Sequence, residues 1–112
     1  MPKFGTVSLE GASGQSYEFD VYPRADMFKP FGAVYLLCKR IPFTDRDAEY
    51  TWIYVGETGD ISKRPFDAVH KSCIDRHEAN SVCLHLEEDA TRRGTIVGDL
   101  RRAHTFPCND RS

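Results

Sequence analysis

Two apolar segments, each carrying a tyrosine and flanked by a glycine, Gly32 or Gly56, constrain the fold more than any other feature of this chain. Residues 33–38 (AVYLLC) form a nearly continuous apolar run, and residues 50–55 (YTWIYV) are rich in aromatic and β-branched residues. Both compositions are typical of β-strands. The polar residues 42–47 between them predict a hairpin loop, so the segments are expected to be adjacent strands. Because side chains alternate along a strand, Trp52 and Tyr54 are expected to point to one face.

Three further segments alternate at least partly with a period of two, and a fourth carries the signals of a helix start. Residues 4–9 and 16–22 alternate around a turn-rich stretch, which predicts an N-terminal hairpin, and residues 81–86 alternate again as a strand. Ser62 is a plausible N-cap for a helix reaching about Ile74, with Pro65 in its first turn.

A last helix is predicted between the acidic run Glu87–Asp89 and the basic pair Arg101–Arg102. This arrangement places negative charge at the positive end of the helix dipole and positive charge at its negative end. The chain is therefore expected to be α+β, with an N-terminal β-hairpin followed by a β-β-α-β-α core whose three-stranded sheet is packed by helices. At 112 residues it is expected to be a single domain, 1–112, in which residues 1–30 add the hairpin and a linker to a core at 31–109.

The composition limits the cellular environment and the binding partners that can be expected for this chain. No apolar run approaches the roughly 18 residues of a membrane span, and the first residues lack the apolar core of a signal peptide, so a cytoplasmic protein with no membrane partner is expected. The net charge of -2 argues against indiscriminate nucleic-acid binding. Basic residues nevertheless cluster in three pairs, which form either solvated helix faces or a phosphate-facing patch: Lys63-Arg64, Arg92-Arg93 and Arg101-Arg102.

The four cysteines are widely and irregularly spaced, without a Cys-x-x-Cys pair. They are expected to be reduced and mostly buried thiols. A metal cluster is the alternative, because His70, Cys73 and His77 would share one face of a helix, with Cys83 and His85 following. This spacing matches no common zinc module.

An ordered set of short motifs runs through the core. Gly32-Ala33-Val34-Tyr35 is followed by Tyr54-Val55-Gly56-Glu57-Thr58, then by Ile61-Ser62-Lys63-Arg64, Asp99-Leu100 and Pro107-Cys108-Asn109. Over roughly residues 31–109 this set resembles the GIY-YIG nuclease superfamily. The resemblance implies that hydroxyls of Tyr35 and Tyr54 position or deprotonate a water, that Arg64 stabilises the phosphate, and that Asn109 is the closing asparagine of the site. It also implies a DNA or other nucleic-acid partner. Among the basic pairs, Lys63, Arg64, Arg92 and Arg93 are the candidate binding surface for it.

The chain departs from the family pattern at two positions. The glutamate that holds Mg²⁺ or Mn²⁺ in the family is expected two residues before Asp99, where this chain has Val97, and an isopropyl group cannot bind a hard cation. The family's histidine would fall on Ala68. His70 is the nearest imidazole, but two residues along a helix turn a side chain by about 200°, so His70 is not expected to replace it.

Three functional interpretations remain. The first is a GIY-YIG nuclease-like domain that binds nucleic acid with lost or impaired phosphodiester hydrolysis. The second is an active endonuclease that uses Mg²⁺ or Mn²⁺, in which either Val97 is an engineered inactivating change or another carboxylate binds the metal: Glu57, Glu87, Glu88, Asp89 or Asp99. The third is a protein-interaction module that retains only the scaffold, since a fold does not determine function.

Overall fold

An antiparallel sheet organises the computed structural model, which describes residues 3–43 and 48–109. Its strands are β1 Gly5–Glu10, β2 Ser16–Pro23, β3 Ala33–Ile41, β4 Glu49–Thr58 and β5 Ser81–Leu86. The helices are α1 Lys71–Arg76 and α2 Ala90–Ala103, and two short 3₁₀ turns, Ile61–Lys63 and Pro65–Asp67, precede α1. The α+β class is thus confirmed. Residues 44–47 of the predicted hairpin loop lie outside the described part of the chain.

The N-terminal hairpin belongs to the sheet itself. The strand order is β1-β2-β5-β3-β4, and β2 pairs antiparallel with β5, with Val21 opposite Cys83. The sequence predicts a three-stranded sheet with the hairpin packed on it, whereas the structure has one five-stranded sheet. The physical reason is that the outer edge of β5 carries backbone groups that need partners, and β2 supplies them while burying Phe19 and Val21.

The two faces of the sheet bury separate apolar clusters. Along β3, Tyr35 packs with the first cluster and Leu36 with the second, as the alternation of a strand requires. We call the first the tyrosine face; its described core includes Tyr35, Tyr54, Ile61, Phe66, Ile74, Leu84 and Cys108. We call the second the helix face; its core includes Phe19, Leu36, Val55, Ile96, Leu100 and Phe106. Helix α2 therefore covers one side of the sheet, while the 3₁₀ turns and α1 cover the other.

A β-bulge in β4 changes which side chains share a face. Leu37 is opposite Tyr54, but the next residue, Cys38, is opposite Trp52, so Ile53 is the extra residue. Ile53 and Tyr54 both pack on the tyrosine face, whereas Trp52 packs against the helix face. The prediction that Trp52 and Tyr54 point to one face is therefore wrong, because the bulge interrupts the period of two.

The segment after β4 is not the continuous helix predicted from Ser62 to Ile74. Asp60 is the N-cap of the first 3₁₀ turn, where its Oδ1 accepts from the Ser62 amide at 3.0 Å. Arg64 and His70 both have left-handed backbones, with φ of 48° and 58°. Arg64 precedes Pro65, whose ring disfavours the helical conformation of the residue before it. The chain therefore turns twice before α1 begins.

The final helix follows the prediction. Asp89 is its N-cap, accepting from the amides of Thr91 at 2.8 Å and Arg92 at 3.3 Å, and the Arg101–Arg102 pair lies in its last turn. Val97 is half-buried and packs against the helix-face core, as its place in the apolar stripe with Ile96 and Leu100 predicts. None of the helices in the described ranges is long and apolar enough to cross a membrane.

The cysteines form two kinds of pair. Cys73 of α1 and Cys108 of the C-terminal turn form a disulfide with a Cα–Cα distance of 5.8 Å. The expectation that all four thiols are reduced is therefore wrong for this pair, because the fold brings together two residues that are 35 apart in sequence. Cys38 and Cys83 are free and buried, with 3.7 Å between their sulfurs.

Candidate functional site

Tyr35 and Tyr54 form a pair on the tyrosine face. Tyr35 lies opposite Gly56 in the β3–β4 ladder, which makes Tyr54 its diagonal neighbour, and the two ring centroids are 6.1 Å apart. Gly56 provides the space for this pair, since a Cβ there would lie 2.6 Å from the Tyr35 hydroxyl. The Tyr-x-Gly motif of β4 therefore places one tyrosine and makes room for the other.

The two hydroxyls of the pair differ in the causes that shift their pKa. Burial raises the pKa of both hydroxyls above the ordinary 10.0 of tyrosine. The interaction between the two hydroxyls raises the pKa of Tyr35 and lowers that of Tyr54. The charge of Arg101 also lowers the pKa of Tyr54. Both hydroxyls are neutral near pH 7, and Tyr54 is the one whose oxygen is better placed to carry negative charge.

His70 lies next to this pair, although the helix predicted from the sequence would have turned its side chain away. Its ring centroid lies 5.1 Å from that of Tyr54, and the residue is exposed. The expectation that His70 points elsewhere assumed a helix through residues 64–70, and the two left-handed residues break that assumption. The proline at position 65 was the available sequence signal, because it disfavours helical Arg64.

Arg64 lies on the same face but is separated from Tyr35 by Phe66. Its guanidinium is 4.8 Å from the centroid of the Phe66 ring, and that ring lies 5.7 Å from the Tyr35 ring. The guanidinium donates to the Arg24 carbonyl at 2.9 Å, to the Asp26 carbonyl and to the Asp67 carboxylate at 2.7 Å. Arg64 thus ties the loop after β2 to the second 3₁₀ turn, and a phosphate would have to compete with Asp67 for it.

Asn109 binds the free edge of β4 next to Tyr54. Its side-chain Oδ1 accepts from the Val55 amide at 2.7 Å, and its Nδ2 donates to the Val55 carbonyl at 2.8 Å. Arg101 donates to the Asn109 carbonyl at 3.4 Å. Asn109 and Arg101 therefore lie at the strand edge that borders the tyrosine pair.

The predicted phosphate-binding residues differ in exposure. Lys63 is exposed, and Arg92 has 61% of its side chain exposed while it pairs with Glu87 at 3.1 Å. Arg93, by contrast, is 7% exposed and donates to Glu57 at 2.7 Å. Its guanidinium also donates to the carbonyls of residues 87 and 88, so it joins the start of α2 to the end of β4.

The carboxylates named above as candidates to replace the family's metal-binding glutamate already have partners. Glu57 pairs with Arg93, Asp89 caps α2, and Glu88 accepts from the Gly32 amide at 3.2 Å. The carboxylate of Glu87 accepts from Arg92 and from the Asp89 amide, and these bonds lower its pKa.

Asp99 is held by the N-terminal hairpin. It accepts from the Ser13 hydroxyl at 2.6 Å, the Tyr17 hydroxyl at 2.8 Å and the Ser13 amide at 2.8 Å. The Ser13 hydroxyl, followed by Tyr17, lowers the pKa of this carboxyl. Through these contacts Asp99 anchors the N-terminal hairpin to α2.

Mg²⁺ or Mn²⁺ would therefore lack the ligand that the family supplies. Val97 has no side-chain oxygen, and Glu57 alternates to the side of β4 away from Tyr54 and Gly56, where Arg93 neutralises it. The residues present do not fit the metal of the resembled family.

Comparison of the chain with protein-family models, with curated proteins and with solved structures found no match. The GIY-YIG resemblance thus depends on the sequence motifs alone.

Proposed function

We propose that this chain is a GIY-YIG nuclease-like domain that binds nucleic acid, DNA in the first instance, with lost or impaired phosphodiester hydrolysis. The observation that carries the proposal is the Tyr35–Tyr54 hydroxyl pair, which is built across β3 and β4 over Gly56. Around it lie His70, Arg101 and Asn109, which together offer donors to an anionic oxygen. The three-stranded core of the family corresponds in this proposal to β3, β4 and β5.

The chemistry available to the pair is donation of hydrogen bonds rather than removal of a proton. Both tyrosines have a pKa above 10.0 and are neutral near pH 7. A neutral hydroxyl can orient a phosphate oxygen or a water, but a cation near the leaving oxygen is needed to stabilise the charge that develops during hydrolysis. Since Val97 provides no ligand for that cation, binding is retained in this proposal and cleavage is not.

Exposed cations provide the electrostatic part of the binding. Lys63 and Arg101 are exposed, and so are Arg92 and Arg102, each with a carboxylate neighbour. Each phosphate contacted should contribute a slope of about -0.9 to log affinity against log salt on duplex DNA. Lys63→Ala should therefore reduce that slope by about 1 if Lys63 contacts a phosphate, whereas a flat salt response would support the protein-interaction module instead.

Val97→Glu tests the proposal directly. Val97 precedes Arg101 by one helical turn on the same face of α2, and Arg101 is near enough to Tyr54 to lower its pKa. A glutamate at 97 therefore supplies, one helical turn before Arg101, the carboxylate that the resembled family uses to hold the metal. The matched control is Val97→Gln, which has the same shape and no charge.

Purified chain, V97E and V97Q would be compared for nicking of plasmid DNA with Mg²⁺ or Mn²⁺, and for DNA binding without metal. Metal-dependent nicking by V97E alone, with binding by all three proteins, is the expected result. Nicking by the unmodified chain that is abolished by EDTA and by Tyr54→Phe would show an active endonuclease with another metal ligand. Absence of DNA binding by all three at low salt would refute the nucleic-acid proposal altogether.

A further inference from the structure

Three potential metal ligands lie close together on the tyrosine face. The imidazole Nδ1 of His77 lies 3.8 Å from the sulfur of Cys73 and 3.8 Å from the sulfur of Cys108. One donor atom from each of these residues falls within 4.8 Å of the others. Cys108 is fully buried and Cys73 is 8% exposed, so the group is largely shielded from water.

Two different parts of the chain build this group. Cys73 and His77 are four residues apart, Cys73 within α1 and His77 at its C-cap, so their side chains lie on one face. Cys108 comes from the turn after α2, which is held in place because its amide donates to the Ile53 carbonyl at 3.0 Å. The carbonyl of the bulged residue in β4 thus fixes the position of the third ligand.

The spacing of these atoms suits a tetrahedral zinc ion. Zn–S bonds of about 2.3 Å and Zn–N bonds of about 2.0–2.1 Å place neighbouring ligand atoms roughly 3.5–3.8 Å apart at tetrahedral angles. Both nitrogen–sulfur distances are 3.8 Å. Two changes would be needed: the two sulfurs, which are bonded to each other, would have to separate, and Nδ1 would have to release the Cys73 carbonyl, to which it donates at 3.0 Å. Arg76 lies 3.6 Å from the Cys73 sulfur, and its positive charge favours the thiolate that a metal needs.

We propose that reduction of the Cys73–Cys108 disulfide converts this group into a Zn²⁺ site with Cys73, His77 and Cys108 as ligands and water in the fourth position. The reductant is a dithiol: it gives two electrons and two protons to the disulfide, forms two thiols and becomes a disulfide itself. Zn²⁺ then displaces one proton from each thiol. The ring proton of His77, which Nδ1 donates to the Cys73 carbonyl in this structure, moves to Nε2, and the neutral ring then binds zinc through Nδ1. This inference is independent of the nuclease-like proposal.

The test titrates Zn²⁺ into the full-length chain in its reduced and oxidised forms, with a competing chromophoric chelator to measure affinity. Co²⁺ serves as a second probe, because tetrahedral thiolate coordination gives it intense visible absorption. The variants are His77→Ala and Cys108→Ser. Cys83→Ser is the matched control, because it removes a buried thiol from the helix face and leaves the proposed ligands intact.

The expected result is one Zn²⁺ per reduced chain, no binding by the oxidised chain, and affinity at least about tenfold weaker in His77→Ala. The Cys83→Ser control should bind as the unmodified chain does. His77→Ala retains both cysteines and can form the disulfide, so it remains informative even if Cys108→Ser does not fold. The proposal is overturned if the reduced chain binds no Zn²⁺, if oxidised and reduced chains bind equally, or if His77→Ala binds with unchanged affinity.

Discussion

The two faces of the sheet use tyrosine hydroxyls in different ways. On the helix face, Tyr17 donates to the Asp99 carboxylate at 2.8 Å, and that carboxylate also accepts from Ser13. On the tyrosine face, the rings of Tyr35 and Tyr54 lie 6.1 Å apart, and each hydroxyl shifts the pKa of the other. A hydrogen bond to a charged acceptor is about twice as strong as one between neutral groups. The Tyr17 hydroxyl therefore serves stability, whereas the Tyr35–Tyr54 pair lies near a histidine and an arginine.

The largest expected effect is on the free energy of unfolding. It compares a residue that supports the tyrosine pair with one in the helix-face core. Phe66 is fully buried, between Arg64 and Tyr35, so Phe66→Ala should lower the free energy of unfolding by about 3–5 kcal/mol. Phe106→Ala is the matched control, since Phe106 is 1% exposed in the helix-face core. Chemical denaturation would measure both.

The two phenylalanine variants should differ in DNA binding. Under the nuclease-like proposal, Phe66→Ala should weaken binding beyond its effect on the folded fraction, because the Tyr35 ring and Arg64 both lose a packing partner. Phe106→Ala should not. Equal losses of binding in the two folded variants would show that the faces are not functionally distinct.

A smaller effect is expected from a single methyl group at Gly56. Its Cβ would lie 2.6 Å from the Tyr35 hydroxyl and 2.7 Å from the adjacent ring carbon, so Gly56→Ala should cost about 1–3 kcal/mol through overpacking. Gly94→Ala should instead stabilise by about 1 kcal/mol, because no atom lies within 4 Å of its Cβ position and glycine weakens a helix. Thermal unfolding of the two variants checks the opposite signs, and a neutral Gly56→Ala would contradict the geometry of the pair.

The smallest expected effects are changes of stability with pH, at acid pH for Asp99 and at alkaline pH for Tyr54. Asp99 has a pKa below its ordinary 3.8 in the folded chain, so its contribution is full above about pH 4 and is lost as the pH falls through the folded value. Tyr54 has a pKa above 10.0, so its contribution is full below about pH 10 and is lost as the pH rises through the folded value.

Unfolding free energies measured across both ranges would test these opposite pH dependences. Asp99→Asn should flatten the acid dependence and leave the alkaline one unchanged. Tyr54→Phe should reduce the alkaline dependence and cost about 0.5–1.5 kcal/mol at neutral pH, the net value of one hydrogen bond. If Asp99→Asn left the acid dependence intact, the anchoring role of Asp99 would have to be abandoned.

Local sequence patterns predicted most of the elements. Residues 81–86 alternate and form β5 at those same residues, and the acidic run before residue 90 marks the start of α2. Both elements depend on periodicity and capping, which are local properties. The burial of Val97 against the helix face also follows from its place in an apolar stripe.

The remaining features depend on contacts between distant residues. The bulge at Ile53 arises in the pairing of β3 with β4, where the alternation within β4 alone gives no sign of it. The Cys73–Cys108 disulfide needs the fold to bring α1 against the C-terminal turn. The left-handed residues that bring His70 to Tyr54 had a local signal in Pro65, but the N-cap potential of Ser62 pointed to a continuous helix.

The C-terminal turn also bears on whether the edge of the sheet can pair with other copies of this chain. Within the described sheet β4 is an edge strand, and edge strands are prone to pair with other chains and to aggregate. The Asn109 side chain occupies both backbone groups of Val55, and the Cys108 amide occupies the Ile53 carbonyl. A few residues thus protect the middle of an exposed edge as a sixth strand would.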